Sequence, residues 1–130
     1  MHVHLLAVAA VAAGGAIGAS FRHLLGLALM RLLGTGFPYG TFAANVLGAL
    51  LMGSFIALLE RWEIRGTHPR LFLTTGLLGG FTTFSTFSLE VVLLYERNEH
   101  WLALFYALSS VVICVGAVFL MLWLLRPAAA

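Results

Sequence analysis

The feature that most constrains this chain is a set of four long apolar stretches, separated only by short polar connections. The stretches cover about residues 5–29, 39–59, 70–95 and 101–125. Each is long enough for the roughly 20 residues that an α-helix needs to cross the hydrocarbon core of a bilayer. Only 9% of the 130 residues are charged, whereas soluble domains average about 25%. We therefore predict an all-α integral membrane protein in which residues 1–130 form one membrane domain of four transmembrane helices.

The charged residues and the single cysteine argue against several classes of function. The net charge of +2 comes from scattered arginines, whereas nucleic-acid binding needs clustered basic residues. Cys114 is the only cysteine, so no intrachain disulfide can form, and we interpret it as a packing residue. The apolar stretches contain no Ser-His-acid set, no carboxylate pair and no phosphate-binding loop. We therefore predict that the chain is not an enzyme.

The arginines are almost evenly divided between the two ends of the predicted helices. With four spans, one membrane face carries four arginines and the other carries three. The first group is Arg61, Arg65, Arg70 and Arg126, and the second is Arg22, Arg31 and Arg97. An excess of positive charge normally sets the orientation of a membrane protein. An excess of one arginine allows insertion in both orientations. The alternative is that the arginines of the second loop weakly favour one orientation.

Small residues indicate close helix contacts. Gly14 and Gly18 have the four-residue spacing that places two glycines on one helix face, and Gly48 and Gly53 lie on the second stretch. Such faces let helix backbones approach closely in a membrane. Four short helices rarely enclose a polar path alone, so we also expect association with a second copy.

The third stretch contains a segment that suits a lipid-facing helix poorly. Residues 79–88 read Gly-Gly-Phe-Thr-Thr-Phe-Ser-Thr-Phe-Ser. Glycine frees the backbone from the helical conformation, and hydroxyl side chains bond to the freed backbone groups. Within a bilayer, a break is tolerated only where protein or a water-filled cavity satisfies those groups. We predict that the third helix is broken at its middle and forms an ion or solute site there.

A second polar position lies in the second stretch, where Asn45 is flanked by apolar residues. Its carboxamide can serve as a hydrogen-bonding link between helices or as an N–H donor to an anion. Thr41 lies four residues earlier, on the same helix face, which favours a polar stripe. The residues alone leave these two interpretations open.

Aromatic and charged side chains accompany the predicted break. Phe84 and Phe87 are three residues apart and share a face. Their ring edges would favour an anion and their ring faces a cation, so the rings leave the sign of the ion open. We interpret Arg22 as a vestibule residue that attracts anions. Glu90, near the end of its span, is interpreted as structural, reaching the interface or an arginine such as Arg22.

Three segments, residues 14–22, 40–48 and 79–88, together resemble the Fluc/CrcB fluoride channels of bacteria and archaea. The resemblance covers essentially the whole chain. It implies an antiparallel, dual-topology homodimer in the cytoplasmic membrane, with two fluoride pores along the subunit interface. It also implies a structural sodium ion at the centre of the dimer, held by the backbone carbonyls of Gly79 and Thr82 from both subunits.

The resemblance further implies which side chains contact fluoride. Asn45 would offer its amide, and Phe84 and Phe87 would present their ring edges. Hydroxyl groups would supply a polar track, in which we also place Thr41. The implied hydroxyl residues are Ser85, Thr86, Ser88, Tyr106 and Ser110. Cys114 continues the face of Tyr106 and Ser110, where a hydroxyl is expected.

The activity implied is passive export. Hydrogen fluoride enters across the membrane, dissociates inside and leaves fluoride, which the negative-inside potential drives out through the pore. The alternative is a small four-helix multidrug or cation transporter of dual topology, which typically needs an acidic residue at the middle of a span. A non-conducting assembly subunit is a third interpretation, but it leaves the hydroxyl and phenyl residues unexplained.

Overall fold

A computed structural model describes residues 2–126, within which every regular element is helical. Helix α1 spans His2–Leu33, α2 spans Tyr39–Arg61 and α6 spans His100–Leu125. The third span is divided into shorter helices: α3 (Thr67–Leu71), a π-helical segment (Phe72–Leu78), α4 (Gly79–Phe81) and α5 (Phe84–Glu96). The prediction of four long apolar helices suited to crossing a membrane is thereby confirmed.

The connection between α1 and α2 is a tight turn set by local chemistry. Gly34 has φ +81°, a conformation that glycine adopts without a Cβ clash. Its N–H donates to the carbonyl of Met30 at 3.0 Å and closes the last turn of α1. Pro38 then precedes α2, where its missing N–H costs no helical bond because the first N–H groups of a helix have no intrahelical acceptor. The turn returns the chain directly into the membrane, so that α2 lies beside α1.

Helix α1 packs closely against the π-helical segment and α4 through glycines on both sides. A Cβ on Gly14 would lie 2.5 Å from the carbonyl oxygen of Phe72, and one on Gly80 would lie 2.5 Å from that of Gly15. A Cβ on Gly18 would collide with the Leu77 carbonyl. The close helix contact predicted for Gly14 and Gly18 is therefore present, within one subunit. It places α1 directly beside the predicted break.

Helix α2 packs along α6 and also contacts α1. A Cβ on Gly53 would come within 2.9 Å of both the Met121 Cβ and the Val118 carbonyl oxygen, so glycine is needed there. At the end of both helices, Arg126 Nε lies 2.9 Å from Glu60 Oε2. This exposed pair links the last turn of α2 to the end of α6.

A compact buried cluster lies where α5 and α6 meet, formed by Phe87, Leu94, Ala103 and Tyr106. Most other large apolar side chains of α6 face outward, and Phe119 is 72% exposed. In water such a surface would be unstable, but lipid or another membrane helix can cover it. The polar groups of the chain are therefore concentrated inside the bundle and around residues 79–90.

Candidate functional site

Helical geometry lapses in the third span at Thr82 and Thr83. Thr82 has φ −84° and ψ 159°, and Thr83 has φ −154° and ψ 122°, both extended. The last bond of α4 runs from the Thr82 N–H to the carbonyl of Leu78 at 2.9 Å. Two consecutive extended residues turn their peptide groups away from the helix axis, so their N–H and C=O groups need other partners.

Asn45 of α2 supplies both partners for Thr83. The Thr83 N–H donates to Asn45 Oδ1 at 2.8 Å, and Asn45 Nδ2 donates to the Thr83 carbonyl at 3.0 Å. In a continuous helix, the Thr83 N–H would instead donate to the carbonyl of Gly79. The carboxamide therefore holds the backbone open and releases the Gly79 carbonyl from that helical bond. One N–H of Nδ2 remains beyond the bond to Thr83.

Arg22 of α1 contacts the same stretch of backbone. Its Nε donates to the Gly80 carbonyl at 3.2 Å, in a partly buried position. In a continuous helix, this carbonyl would accept from the Phe84 N–H. Arg22 also lines a cavity of about 540 Å³ between α1, α2 and α5, together with His23, Thr41, Glu90 and Arg97. A charged side chain thus joins this cavity to the backbone of the third span.

The first turn of α5 is capped by hydroxyl groups. Thr83 Oγ1 accepts from the Thr86 N–H at 3.3 Å, which satisfies one free donor at the helix start. The same oxygen lies 3.1 Å from Thr86 Oγ1 and 3.3 Å from Ser85 Oγ. Helix starts carry partial positive charge, and α5 has no acidic residue in its first turn. Free N–H groups and clustered hydroxyls at this position favour an anion.

The two phenylalanines predicted to act together are neighbours with different surroundings. Their ring centroids are 5.4 Å apart and the rings are tilted by 46°. Phe84 is 75% exposed on this subunit, whereas Phe87 is buried and meets the ring of Tyr106 edge-on at 5.2 Å. Phe84 is thus presented outward from the subunit at the start of α5, while Phe87 belongs to the core.

Glu90 connects three helices through its carboxylate. Thr41 Oγ1 of α2 donates to Oε1 at 2.7 Å, and the buried Tyr106 hydroxyl of α6 donates to Oε2 at 2.7 Å. These bonds agree with a structural role for Glu90, but its partners are hydroxyls of α2 and α6, whereas the predicted arginine, Arg22, bonds the Gly80 carbonyl. Thr41 and Tyr106, predicted as members of a polar track, are thereby brought to one point. Their O–H groups are directed at the carboxylate.

The remaining predicted residues are placed less centrally. Thr82 directs both its N–H and its hydroxyl to the Leu78 carbonyl, each at 2.9 Å. Ser88 is on α5, and its hydroxyl donates to the Phe84 carbonyl at 2.9 Å. Ser110 is only 5% exposed, and its hydroxyl has no hydrogen-bond partner among the described residues. Ser88 and Ser110 therefore lie outside both hydrogen-bonded groups.

Sequence reasoning missed two features of this site. Thr83 was not selected, although a threonine directly before a helix is a common N-cap signal. The cavity residues His23 and Arg97 were also missed, because a lone residue near a span end resembles any interfacial polar group. Among the described residues there is no cluster of three histidine, cysteine or acidic side chains that could hold a metal ion. A cation here would have to bind backbone oxygens.

Comparison with known proteins gives concordant matches over nearly the whole chain. The family model described as "CrcB-like protein, Camphor Resistance (CrcB)" matches residues 9–122. The chain is 50% identical over 115 residues to the fluoride-specific ion channel FluC of Agrobacterium fabrum, covering 88% of this chain and 92% of that protein. It is 52% identical over 120 residues to the FluC of Roseobacter denitrificans, covering 89% and 92%. For the FluC of Mesorhizobium japonicum the identity is 49% over 118 residues, covering 89% and 93%.

Proposed function

This chain belongs to the CrcB family, and we propose that it is a fluoride-selective channel that passively exports fluoride across the cytoplasmic membrane. The observation that carries the proposal is the start of α5. There, hydroxyl groups, an exposed phenyl ring and the Asn45 amide surround a helix N-terminus at an interruption of the third span. Each of these groups stabilises negative charge, and none carries a full positive charge that would trap the ion.

Fluoride must exchange its hydration shell for groups of the protein, and several weak donors meet this need better than one strong one. Asn45 has a second N–H beyond the one given to Thr83. Ser85 and Thr86 offer hydroxyls next to it, and the edge of the Phe84 ring carries partial positive charge. In a site shielded from water, these modest interactions become stronger. We therefore place one set of fluoride contacts at Asn45, Phe84, Ser85 and Thr86.

A second set of donors continues the path towards α6. Thr41 and Tyr106 direct their hydroxyls to Glu90, each at 2.7 Å. A fluoride ion arriving here competes with the carboxylate for the same two O–H groups. The ion is thereby bound and then released, as conduction requires. The edge of Phe87 and the hydroxyls of Ser88 and Ser110 complete the track in this proposal.

Entry is assigned to the cavity of about 540 Å³ lined by Arg22, His23 and Arg97. Positive side chains at a concave mouth raise the local concentration of anions. Arg22 combines this role with its bond to the Gly80 carbonyl. The ion would thus meet Arg22, and Thr41 and Glu90 in the same cavity, before it reaches the residues beside the interruption.

The backbone of the third span also suits a hard cation, and we propose a structural sodium ion held by Gly79 and Thr82 from two subunits. Carbonyl oxygens are the ligands that hard cations prefer. The Gly79 carbonyl is freed because the Thr83 N–H donates to Asn45, and the extended Thr82 turns its own carbonyl away from α4. Sodium would bind carbonyl oxygens of both subunits at the dimer centre and would thereby link the two backbones.

A dimer is part of the proposal because the path is incomplete in one subunit. Phe84 is 75% exposed, so its ring lacks an opposite wall. In an antiparallel dimer each subunit would provide the opposite wall for the Phe84 ring of the other, which gives two pores along the interface. The near balance of arginines between the two membrane faces is compatible with insertion in both orientations.

The alternative, a cation or multidrug transporter coupled to protons, depends on Glu90 as its carrier of charge. Both oxygens of that carboxylate accept hydrogen bonds from fixed hydroxyls of α2 and α6. These bonds tie the carboxylate to two other helices, so both of its oxygens are already occupied and are not free to bind a transported cation. The geometry therefore favours the channel.

The test is fluoride efflux from liposomes that contain the purified chain, followed with a fluoride electrode after a potassium ionophore is added. The channel predicts rapid electrogenic loss of fluoride and little loss of chloride from a parallel preparation. Release no faster than from protein-free liposomes would refute the proposal. Proton-coupled uptake of a cationic drug in the same vesicles would support the transporter instead.

A further inference from the structure

Cys114 lies on the polar side of α6, where the proposed function places the end of the track. Tyr106, Ser110 and Cys114 follow one another at intervals of four residues, so they share one face of the helix. Tyr106 and Ser110 are buried on this face and Cys114 is partly buried. The thiol is thus the next side chain along the line that begins with the hydroxyl of Tyr106.

The hydroxyl of Ser110 provides an independent indication that this line serves a polar species. Five other hydroxyl side chains bond to the carbonyl four residues earlier in the chain. These residues are Ser20, Ser54, Thr74, Thr82 and Ser88.

Ser110 does not follow this pattern. The corresponding carbonyl, that of Tyr106, accepts from Ser109 at 3.4 Å instead. Only 5% of Ser110 is exposed, and its hydroxyl has no hydrogen-bond partner among the described residues. Leaving a buried hydroxyl unpaired is unfavourable, because the group has lost its water partners without gaining others. A buried hydroxyl without a partner, one turn before Cys114, indicates a point where an ion or a water molecule binds transiently.

We propose that Cys114 is a modification site for small thiol-directed electrophiles, and that its modification closes the fluoride track. The inference rests on the proposed function, because the block is measured as lost fluoride flux. With methyl methanethiosulfonate, the thiol gives its proton to water and the thiolate attacks the sulfenyl sulfur of the reagent. A new S–S bond forms, and methanesulfinate leaves with the bonding electron pair. No separate oxidant is needed.

The adduct is small, but it lies on a partly buried part of α6. About two turns further along, α2 and α6 pack closely, since a Cβ on Gly53 would lie 2.9 Å from Met121 Cβ. On the face that Cys114 shares with Ser110, a methylthio group adds bulk one turn from the buried Ser110 hydroxyl. There it occupies the volume that a passing ion needs.

The experiment uses the full chain in liposomes, with fluoride efflux measured before and after the reagent. Because Cys114 is the only cysteine, any effect on the wild-type chain is assigned to one thiol. We expect flux to fall by at least about tenfold, since a single-file path blocked at one point stops conducting. Dithiothreitol should restore it. The Cys114→Ser variant, measured against its own untreated flux, should be insensitive.

A matched control moves the thiol by one residue. Val115 lies next to Cys114 and is 52% exposed, on a different face of α6. Val115→Cys in the Cys114→Ser background should gain the methylthio group, detected by mass spectrometry, and keep its own untreated flux. Gel filtration shows whether each variant retains the wild-type assembly.

Two outcomes would overturn the inference. One is complete labelling of Cys114 with undiminished flux, and the other is no labelling of Cys114 under conditions that label Val115→Cys. Absence of fluoride flux in the untreated wild type refutes the proposed function instead. In that case the labelling result still decides whether the thiol is accessible.

Discussion

Replacing Asn45 with leucine should reveal how much one side chain contributes to holding the third span open. Asn45 makes two bonds to Thr83, at 2.8 Å to its N–H and at 3.0 Å to its carbonyl. Leucine has a similar volume, so packing between α2 and the third span is retained. Both Thr83 groups lose their partner, because the extended backbone keeps them away from the helical acceptors and donors.

The expected loss of stability follows from the cost of unpaired backbone groups. At about 1–3 kcal/mol for each fully buried group left without a partner, these two partly buried groups would lose at most about 2–6 kcal/mol. If the bonds had only the membrane average of about 0.6 kcal/mol each, the loss would be about 1.2 kcal/mol. We expect the larger value, because a hydrogen bond to a fixed backbone group cannot be replaced by a rotated side chain.

The free energy of unfolding can be measured by titrating detergent-solubilised protein with sodium dodecyl sulfate. Ser54→Ala is the matched control, since Ser54 is also on α2 and its hydroxyl bonds only to the Leu50 carbonyl of its own helix. This control should change the free energy by no more than about 0.5 kcal/mol. An Asn45→Leu variant as stable as Ser54→Ala would refute the role of Asn45 as the clamp of the third span.

Three further outcomes are expected. Phe84→Ile should sharply reduce fluoride efflux but leave the free energy of unfolding within about 0.5 kcal/mol of wild type, because the ring is 75% exposed in each subunit; normal efflux would remove Phe84 from the site. Gly48→Ala should destabilise the fold by about 1–3 kcal/mol, since the added Cβ would collide with the Thr82 methyl group. Gly116→Ala should not destabilise the fold, because the added Cβ meets nothing within 4 Å. Equal unfolding curves for the Gly48 and Gly116 variants would contradict the close contact between Gly48 and Thr82. Exchanging sodium for choline should lower stability by about 2.7 kcal/mol if sodium stands at 100 times its dissociation constant, and an unchanged melting temperature would argue against the ion.

The architecture was largely accessible from local patterns. Stretches of apolar residues predict helices long enough to cross a bilayer, and four such helices are present. Gly14 and Gly18 indicated a close helix contact, which is formed with the π-helical segment and α4. These predictions depend on residues that are neighbours in sequence or one helical turn apart. The physical rules of helix length and spacing therefore suffice for them.

The hydrogen-bonded partners within the site could not be derived in the same way. Thr83 lies 38 residues from Asn45, and Thr41 lies 49 residues from Glu90. Helical spacing places Asn45 and Thr41 on one face of α2 but does not say which residues face them. For Asn45 the sequence left helix linkage and anion binding equally open. The bonds to Thr83 show the first role, and the remaining N–H leaves room for the second.

Arg22 shows the same limit for a charged side chain, whose partner the sequence does not reveal. Its position near the end of α1 suggests a vestibule or a side chain that reaches the interface, and either is compatible with the sequence. The bond to the Gly80 carbonyl depends on how closely α1 approaches α4. That approach is set by glycines on both helices, so it is a property of the packed pair.

By itself, the sequence determined that this chain is a four-helix membrane protein with polar groups concentrated around residues 79–90. It did so because the length of an apolar stretch and its glycine content determine the local structure, independently of where the rest of the chain lies. Only the tertiary structure decided that Asn45 and Arg22 replace helical hydrogen bonds and that Glu90 joins Thr41 to Tyr106. Such pairings require three helices to be packed in register, and buried polar groups accept whichever partner that packing brings within about 3 Å.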